Sequence, residues 1–206
     1  MSLSITEYKF IGETISEFSQ RIKNKYNAKK LAVCGKLDPM AYGYIRVLLD
    51  KNTKFMEQYL DNTKKYEFFL IHGIKTNTDD ILGKIITKNY SPSIDYTLDF
   101  IKSNLSKRNT QHFHPFSAIK IKYNEERKSL HQWTKENVDI PLPQKEAKIL
   151  DLSISDTKTC NLNYYKKIIL RQLDKIKKEN YSKFEVSDII EQWKKLEYNS
   201  VISYNI

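Results

Sequence analysis

The sequence predicts a mixed α/β fold in which helices flank a largely antiparallel central sheet. Strand-like runs and segments with the 3.6-residue period of helices follow one another irregularly, whereas a doubly wound parallel sheet needs a regular alternation. The 206 residues are 40% hydrophobic and 29% charged, a balance typical of a globular chain with a core. We therefore expect one domain over residues 1–206.

The first elements are a strand over residues 5–11 and a helix after it. Thr14 and Glu17 have the spacing of a capping box, which marks a helix start. The helix carries apolar residues at helical spacing, namely Ile15, Phe18, Ile22 and Tyr26. A short apolar segment over residues 31–33 and a buried strand over residues 44–49 come next.

The middle of the chain predicts a helix capped by Thr53, with Phe55, Met56, Tyr59 and Leu60 inward. Residues 65–74 are the most strand-like run, because aromatic and branched side chains dominate them. Residues 76–83 form a polar loop that lacks the full calcium-loop pattern, so we predict a hairpin closed by side-chain-to-backbone bonds. Ser93 is placed to cap a helix carrying Ile94, Leu98, Ile101 and Leu105.

The second half predicts a strand over residues 116–123, a charged loop over 124–128, a short helix over 130–137 and a strand over 147–154. A basic amphipathic helix follows, built on Tyr164 or Tyr165, Ile168, Ile169, Leu173 and Ile176. A last helix has Val186, Ile189, Ile190, Trp193 and Leu196 inward. The pair His112 and His114 has no further ligands nearby, which favours a loop over a metal site.

The charge balance restricts the class of partner. The net charge of +10 favours a polyanionic partner, and the alternative is a basic surface that is only solvated. Cys34 and Cys160 are the only cysteines and stand alone, which argues against a disulfide scaffold or a structural zinc site and fits a reducing compartment. No apolar run reaches membrane-spanning length. We expect an intracellular protein, in the cytoplasm or, if a presequence precedes this numbering, in the mitochondrial matrix.

The residues from Gly35 to Gly43 form the most distinctive stretch, Gly-Lys-Leu-Asp-Pro-Met-Ala-Tyr-Gly. An Asp-Pro pair between two glycines predicts a tight, rigid turn that presents the Asp38 carboxylate. Spacing alone also fits an Asx turn in which that carboxylate bonds its own backbone.

This stretch resembles the catalytic loop of the TruB family of pseudouridine synthases, whose motif is G-x-L-D-P-x-A-x-G. Every fixed position is present. Further matches follow in order, at Thr53-Lys54-Phe55, Lys64-Lys65-Tyr66, Thr76-Asn77-Thr78-Asp79-Asp80 with Gly83, Ser117-Ala118-Ile119-Lys120 and Val138-Asp139-Ile140-Pro141. The family's K-P-x-G motif is matched at Lys9 and Gly12, with Phe10 in the place of the proline.

The resemblance implies the pseudouridine synthase catalytic fold and a monomer acting on RNA, with no cofactor, no metal and no membrane. The substrate it implies is the T-arm uridine 55 of tRNA or a similar loop in another RNA, such as ribosomal RNA. Bacterial members usually add a small C-terminal RNA-binding PUA domain. The chain stops at Ile206, so we expect the catalytic domain alone.

The resemblance also assigns roles to residues. Asp38 is the catalytic carboxylate, Tyr66 stacks on the target uridine, and Lys166 stands where the family has an arginine that keeps the carboxylate ionised. Arg171 is the alternative to Lys166, one helical turn or more further on. Val33 occupies the place of a family histidine. The residues expected to contact RNA are Lys9, Lys36, Tyr42, Lys64 and Lys65.

Two functions remain open from the sequence. The first is an RNA pseudouridine synthase. The second is a non-catalytic RNA-binding or ribosome-assembly protein on the same fold, which the changed residues at positions 33 and 166 favour. The intact nonapeptide around Asp38 favours the enzyme.

Overall fold

The computed structural model describes residues 4–60, 63–88, 99–101, 103–104, 110–197 and 201–206. The strands are β1 (Ile5–Lys9), β2 (Leu31–Cys34), β3 (Gly43–Leu49), β4 (Phe69–Ile71), β5 (Ile74–Thr76), β6 (Ile85–Lys88), β7 (Thr110–His112), β8 (Lys120–Tyr123), β9 (Glu126–Ser129), β10 (Gln144–Glu146), β11 (Asp156–Cys160) and β12 (Val201–Asn205). The α-helices are α1 (Ile15–Tyr26), α2 (residues 99–101 and 103–104), α3 (Leu130–Lys135), α4 (Leu162–Leu173), α5 (Tyr181–Phe184) and α6 (Val186–Lys195). Two 3-10 helices cover Asp50–Tyr59 and Lys178–Asn180.

The fold is mixed α/β with small antiparallel sheets, which confirms the predicted class. Two sheets have three strands, in the orders β1-β3-β2 and β11-β12-β4, and three sheets are two-stranded pairs. The pairings of β3 with both neighbours, of β12 with β4 and of β8 with β9 are antiparallel. The described strands therefore form several small sheets, where the sequence predicted one central sheet.

The contacts divide the chain into two compact units. Unit 1 consists of Met1–Glu67, Lys75–Thr87 and Cys160–Val201, and unit 2 consists of Phe68–Ile74, Lys88–Thr159 and Ile202–Ile206. Each unit is built from segments that are not adjacent in sequence. Whether the two behave as the single predicted domain stays a prediction.

In unit 1, helix α1 packs on one face of the β1-β3-β2 sheet. Thr14 caps the helix, and the reciprocal bonds of the predicted capping box with Glu17 are both present. Phe18 and Ile22 pack against Ile45 and Val47 of β3, all four nearly or fully inaccessible to solvent. Tyr26, predicted on the same apolar face, instead exposes 40% of its surface at the helix end.

Helices α4 and α6 carry a further group of buried residues in unit 1, and most of their predicted inward residues are buried, with Ile168 and Ile190 partly buried. On α4 the inward aromatic residue is Tyr165, with 8% exposure, and Tyr164 exposes 60%. The buried residues of this pair and the turn after α4 are Leu162, Tyr165, Ile169, Leu173, Ile176, Val186, Ile189, Trp193 and Leu196.

Unit 2 holds two small cores. The hairpin of β8 and β9 packs on α3, where Leu130, Trp133 and Ile140 are buried. Tyr204 of β12 is fully buried and packs with Ile101 of α2. Both cores include residues brought together from distant parts of the sequence.

Three sequence predictions in the first half are wrong in detail. The helix predicted after Thr53 is a 3-10 helix from Asp50 with no buried residue. The strand predicted over residues 65–74 is regular only at β4 and at the start of β5, and Phe69 exposes 66% of its surface. The strand predicted over residues 44–49 is present as β3, yet Tyr44 at its start exposes 78%.

Two predictions in the second half are also wrong. The charged loop at residues 124–128 is a tight turn at Asn124 and Glu125 followed by strand β9. Residues 147–155 are not a strand, and strands β10 and β11 flank them. The strand predicted at 116–123 and the helix predicted at 130–137 are present as the shorter β8 and α3.

The predicted hairpin over residues 76–83 is confirmed. The Asp80 carboxylate accepts hydrogen bonds from Thr78 Oγ1 and Leu82 N, and Asn77 Oδ1 accepts one from Lys84 N. Most of the helix predicted from Ser93, including Ile94, Leu98 and Leu105, lies outside the described residues. Among the described helices, none has both the length and the apolar character to cross a membrane.

Candidate active site

The Asp38 stretch folds as a tight turn between β2 and β3, as predicted. Ala41 N donates a hydrogen bond of 3.0 Å to Asp38 O, so Pro39 occupies the second position of the turn, where its fixed φ is favourable. Gly35 and Gly43, at the two ends of the stretch, have φ angles of 113° and 147°. The backbone therefore closes this turn.

The Asp38 side chain is exposed and does not close the turn. Its carboxylate makes no hydrogen bond or ion pair with any described residue. The Asx-turn alternative would require a bond from that carboxylate to its own backbone, so the structure does not support it. The carboxylate is free to accept a proton or to bind a ligand.

The buried Lys9 side chain holds the Asp38 turn in place by hydrogen bonds to its carbonyl groups. That side chain is fully buried, and Nζ donates hydrogen bonds of 2.7, 3.0 and 3.2 Å to the carbonyls of Ala41, Asp38 and Phe10. All three donors of the ammonium group are thus used. Burial lowers the pKa of Lys9, and the nearby Glu13 and Asp38 carboxylates oppose this shift.

This burial corrects the prediction that Lys9 contacts RNA. A side chain with no accessible surface and three intramolecular bonds has no donor left for a phosphate. Its position is instead that of a clamp under the Asp38 turn.

Gly12 supplies a second clamp. Its N–H donates a 2.7 Å hydrogen bond to Pro39 O, in the middle of the Asp38 turn. Its φ is 81°, and a Cβ here would lie 2.6 Å from the Lys175 carbonyl, just after α4. Only glycine fits without displacing the backbone. The two matched positions of the K-x-x-G pattern, Lys9 and Gly12, therefore both hold the same turn.

Arg21 of α1 braces this segment, and sequence reasoning missed it. Its Nε lies 2.7 Å from Glu13 Oε1, and one Nη donates to Tyr8 O at 2.7 Å. The guanidinium carbon also lies 4.8 Å from the centre of the Phe10 ring. Glu13 and Arg21 are eight residues apart, beyond the i+4 spacing that a helix pattern reveals.

The other predicted RNA contacts are exposed. Lys36 and Tyr42 lie on the Asp38 stretch with accessible side chains, and Tyr42 exposes 59%. Lys64, Lys65 and Tyr66 lie in a segment without regular secondary structure before β4, where Tyr66 exposes 65% of its surface. No hydrogen bond joins Tyr66 to Asp38 within the described residues.

Lys166 of α4 contacts the C-terminal end of α6. Its Nζ donates 2.8 Å hydrogen bonds to both Lys194 O and Leu196 O. Lys194 lies in the last turn of α6 and Leu196 is the residue directly after the helix, so the ammonium group satisfies acceptors that a helix end leaves open. Lys166 makes no ion pair with Asp38 in the described part of the chain.

A mixed α/β unit that holds one free carboxylate on a doubly clamped turn is suited to chemistry performed by a single aspartate. Residues 23–168 match the model of the TruB family pseudouridylate synthase (N terminal domain). This match covers more than half of the chain, and the chain belongs to the TruB family. The matched residues include Asp38, Tyr66 and Lys166, whereas Lys9 and Gly12 precede them.

Individual relatives agree with this assignment. The chain is 29% identical over 140 residues to a tRNA pseudouridine synthase B of Syntrophobacter fumaroxidans, covering 67% of this chain and 44% of that protein. It is 28% identical over 170 residues to the Marinomonas protein of the same name, covering 80% and 54%. The Aquifex aeolicus protein of that name is 33% identical over 114 residues, covering 54% and 39%. The chain thus spans about half the length of these curated relatives.

Proposed function

We propose that this chain is an RNA pseudouridine synthase that isomerises a flipped-out uridine, the T-arm uridine 55 of tRNA. The observation that carries the proposal is the exposed Asp38 carboxylate on a turn clamped by Lys9 and Gly12. Membership of the TruB family supports it, as does the name tRNA pseudouridine synthase B that its relatives share.

The reaction needs one well-placed carboxylate. The bond between uracil N1 and ribose C1′ breaks, the base turns, and a C5–C1′ bond forms while the proton leaves C5 and N1 gains one. Asp38 acts either as a nucleophile at the sugar or as a base at C2′. Reactant and product are isomers, so the proposed reaction requires no cofactor.

The other residues of the site have proposed roles around Asp38. The target base is turned out of its loop and stacks on Tyr66, while Lys36, Tyr42, Lys64 and Lys65 contact the RNA backbone or bases. Lys166 neutralises Asp38 only if RNA binding releases its two bonds to the end of α6. Lys9 positions the turn and touches no RNA.

The proposed setting follows from the same activity. The partner is RNA, the enzyme acts as a monomer, and the reaction takes place inside the cell, in the cytoplasm or the mitochondrial matrix. No membrane takes part in it.

Substitution of the carboxylate tests the proposal. Asp38→Asn should lower the rate of pseudouridine formation in a tRNA transcript by at least about 10²-fold, as expected when a positioned acid–base group is removed. RNA binding should stay close to that of the wild type. Asp151→Asn is the matched control, because Asp151 is also exposed but lies outside the clamped turn. A fully active Asp38→Asn protein would refute the proposal that Asp38 catalyses pseudouridine formation.

The second candidate is a non-catalytic RNA-binding or ribosome-assembly protein. The engagement of Lys166 with α6 favours it, because Lys166 then makes no ion pair with Asp38 among the described residues, and the nearby Lys9 ammonium is already bonded to three carbonyls. Wild-type protein that binds the transcript tightly but forms no pseudouridine at any site in cellular RNA would select this function.

A further inference from the structure

The two faces of the β1-β3-β2 sheet differ in what covers them. Helix α1 covers the face that carries Ile45 and Val47. Side chains alternate along a strand, so the other face carries Tyr44, Arg46 and Leu48 of β3. Leu48 is fully buried, whereas Tyr44 and Arg46 are exposed. The register pairs Tyr8 of β1 with Tyr44, which places the two tyrosines side by side on that second face.

Three aromatic rings form a continuous row there. The Tyr8 ring centre lies 5.1 Å from that of Tyr44 and 5.5 Å from that of Phe10, both in edge-to-face geometry. Tyr44 exposes 78% of its surface and Phe10 exposes 55%. We call Tyr8, Phe10 and Tyr44, together with Arg46, the aromatic face. Exposure of adjacent large rings is costly in water, which indicates a surface kept for a ligand.

The charge of the aromatic face is positive. Arg46 is exposed, and no carboxylate in the described part of the chain pairs with it. Its guanidinium lies 5.2 Å from the ring centre of Tyr59, which holds it at the sheet surface. The nearest acidic residue of β1, Glu7, pairs with Lys25 of α1 on the covered side of the sheet.

The aromatic face is continuous with the Asp38 turn. Lys9 pairs in register with Gly43, and Tyr44 follows directly. Lys9 also bonds the carbonyls of Asp38 and Ala41, so the strand that carries Tyr44 starts at the clamp of the turn. Tyr44 therefore lies one residue after Gly43, the last residue of the Asp38 stretch.

We propose that the aromatic face binds unpaired bases of the RNA substrate next to the target uridine by stacking on Tyr44, while Arg46 contacts the phosphate backbone. Phe10, whose ring already lies against the Arg21 guanidinium, borders this stacking site. Exposed rings beside an unpaired guanidinium match a ligand that offers flat bases and negative charge together. This proposal rests on the RNA substrate of the proposed function, but it does not depend on catalysis.

The experiment compares two RNAs and two tyrosines. Binding of a fluorescent T-arm stem-loop and of a fully paired duplex of equal length is measured for the wild type, Tyr44→Ala, Tyr44→Phe and Tyr26→Ala. Tyr26 is the matched control, because it is 40% exposed and lies on α1, on the covered side of the sheet. Circular dichroism establishes that each variant is folded.

Stacking predicts a selective loss. Tyr44→Ala should weaken stem-loop binding roughly 5- to 100-fold, the range for one stacked base, and leave duplex binding unchanged. Tyr44→Phe should bind like the wild type, since the ring remains, and Tyr26→Ala should do the same. Arg46→Ala should weaken binding of both RNAs and reduce the log–log salt slope by about 1.

Three results would refute the proposal that the aromatic face binds unpaired bases. The first is that Tyr44→Ala binds the stem-loop with wild-type affinity. The others are that Tyr44→Ala loses as much affinity for the duplex as for the stem-loop, or that Tyr26→Ala loses as much affinity for the stem-loop as Tyr44→Ala does. The outcome is separable from catalysis. A selective loss in a protein that forms no pseudouridine supports the aromatic face and refutes the proposed enzyme. If Tyr44→Ala binds the stem-loop normally and still forms pseudouridine, the proposed enzyme is supported and base binding at the aromatic face is refuted.

Discussion

Lys9 shows how one residue decides the shape of the Asp38 turn. A methionine there would keep the apolar stem of the side chain but leave the carbonyls of Phe10, Asp38 and Ala41 without their donor. Lys9→Met should therefore lower the free energy of unfolding by about 1–3 kcal/mol, the cost of unsatisfied buried polar groups. Urea denaturation at pH 7 measures this, and an unchanged midpoint would contradict the clamp.

The buried ammonium also predicts a pH dependence. Burial lowers the pKa of Lys9 in the folded state below its ordinary value of 10.5. Between the two pKa values the unfolded chain binds more protons than the folded chain, so stability rises with pH in that interval. The stability difference between the wild type and Lys9→Met should therefore widen as the pH rises towards 10.5, and parallel curves would argue against it.

Sequence reasoning predicted the tight turn at Asp38 but misjudged Lys9, for a physical reason. The turn is local, because proline and glycine restrict the backbone wherever they occur. The role of Lys9 depends on carbonyls 29 and 32 residues away, and no local pattern shows that the strand end lies beneath them. A lysine was accordingly expected at the surface, where most lysines lie.

At the scale of elements, Lys166 joins α4 to the last turn of α6. Lys166→Ala removes two charge-assisted hydrogen bonds to Lys194 O and Leu196 O, and should destabilise the protein by about 1 kcal/mol. Thermal unfolding measures this loss. The neighbouring Lys167, which is exposed on the same helix, supplies the control Lys167→Ala.

The same variant separates the structural from the catalytic role of Lys166. If it acts only at the helix end, Lys166→Ala lowers the melting temperature and leaves kcat unchanged at a temperature where the protein is folded. If it neutralises Asp38 in the RNA complex, kcat falls and Lys166→Arg restores it, because arginine keeps the charge and adds a bidentate fork. Wild-type kcat in Lys166→Ala would exclude Lys166 from catalysis.

Some elements with local signals were predicted correctly, whereas the strand-like run over residues 65–74 was not. The Thr14–Glu17 capping box acts within one turn of helix and was found. The turn at Asn124 and Glu125 places both residues at positive φ, and without a glycine it gave no hairpin signal. The Asp50 carboxylate accepts hydrogen bonds from Lys29 N and Lys30 N, about 20 residues earlier in the chain. The local sequence of the 3-10 helix that begins at Asp50 does not reveal these contacts.

At the scale of the molecule, the tryptophans test whether the two units fold as one domain. Trp193 is buried in unit 1 and Trp133 in unit 2, and the chain has no other tryptophan. Trp133→Phe and Trp193→Phe therefore each leave a fluorophore in one unit. Because the segments of the units interleave along the chain, we expect each variant to unfold in urea with the same midpoint by fluorescence and by circular dichroism.

The two substitutions need not cost the same stability. Trp193 Nε1 donates to Ile81 O, whereas Trp133 Nε1 is buried with no partner in the described structure, so Trp193→Phe should be the more destabilising. The urea midpoints from fluorescence and from circular dichroism are therefore compared within each variant, and not between the two variants. Separate midpoints for fluorescence and circular dichroism would show two independent domains and refute the single domain.

The pairing of β4 with β12 has a consequence for biosynthesis. Strand β12 is the central strand of its sheet and pairs with β4, which lies more than 120 residues earlier in the sequence. Beside this pair, Phe68 and Ile206 exchange two backbone hydrogen bonds. While the ribosome is still adding the segments between them, the nascent chain therefore carries β4 with an open edge and the exposed rings of Phe68 and Phe69. Slow translation lengthens that interval, so chaperone supply should limit the soluble yield more than the final stability does.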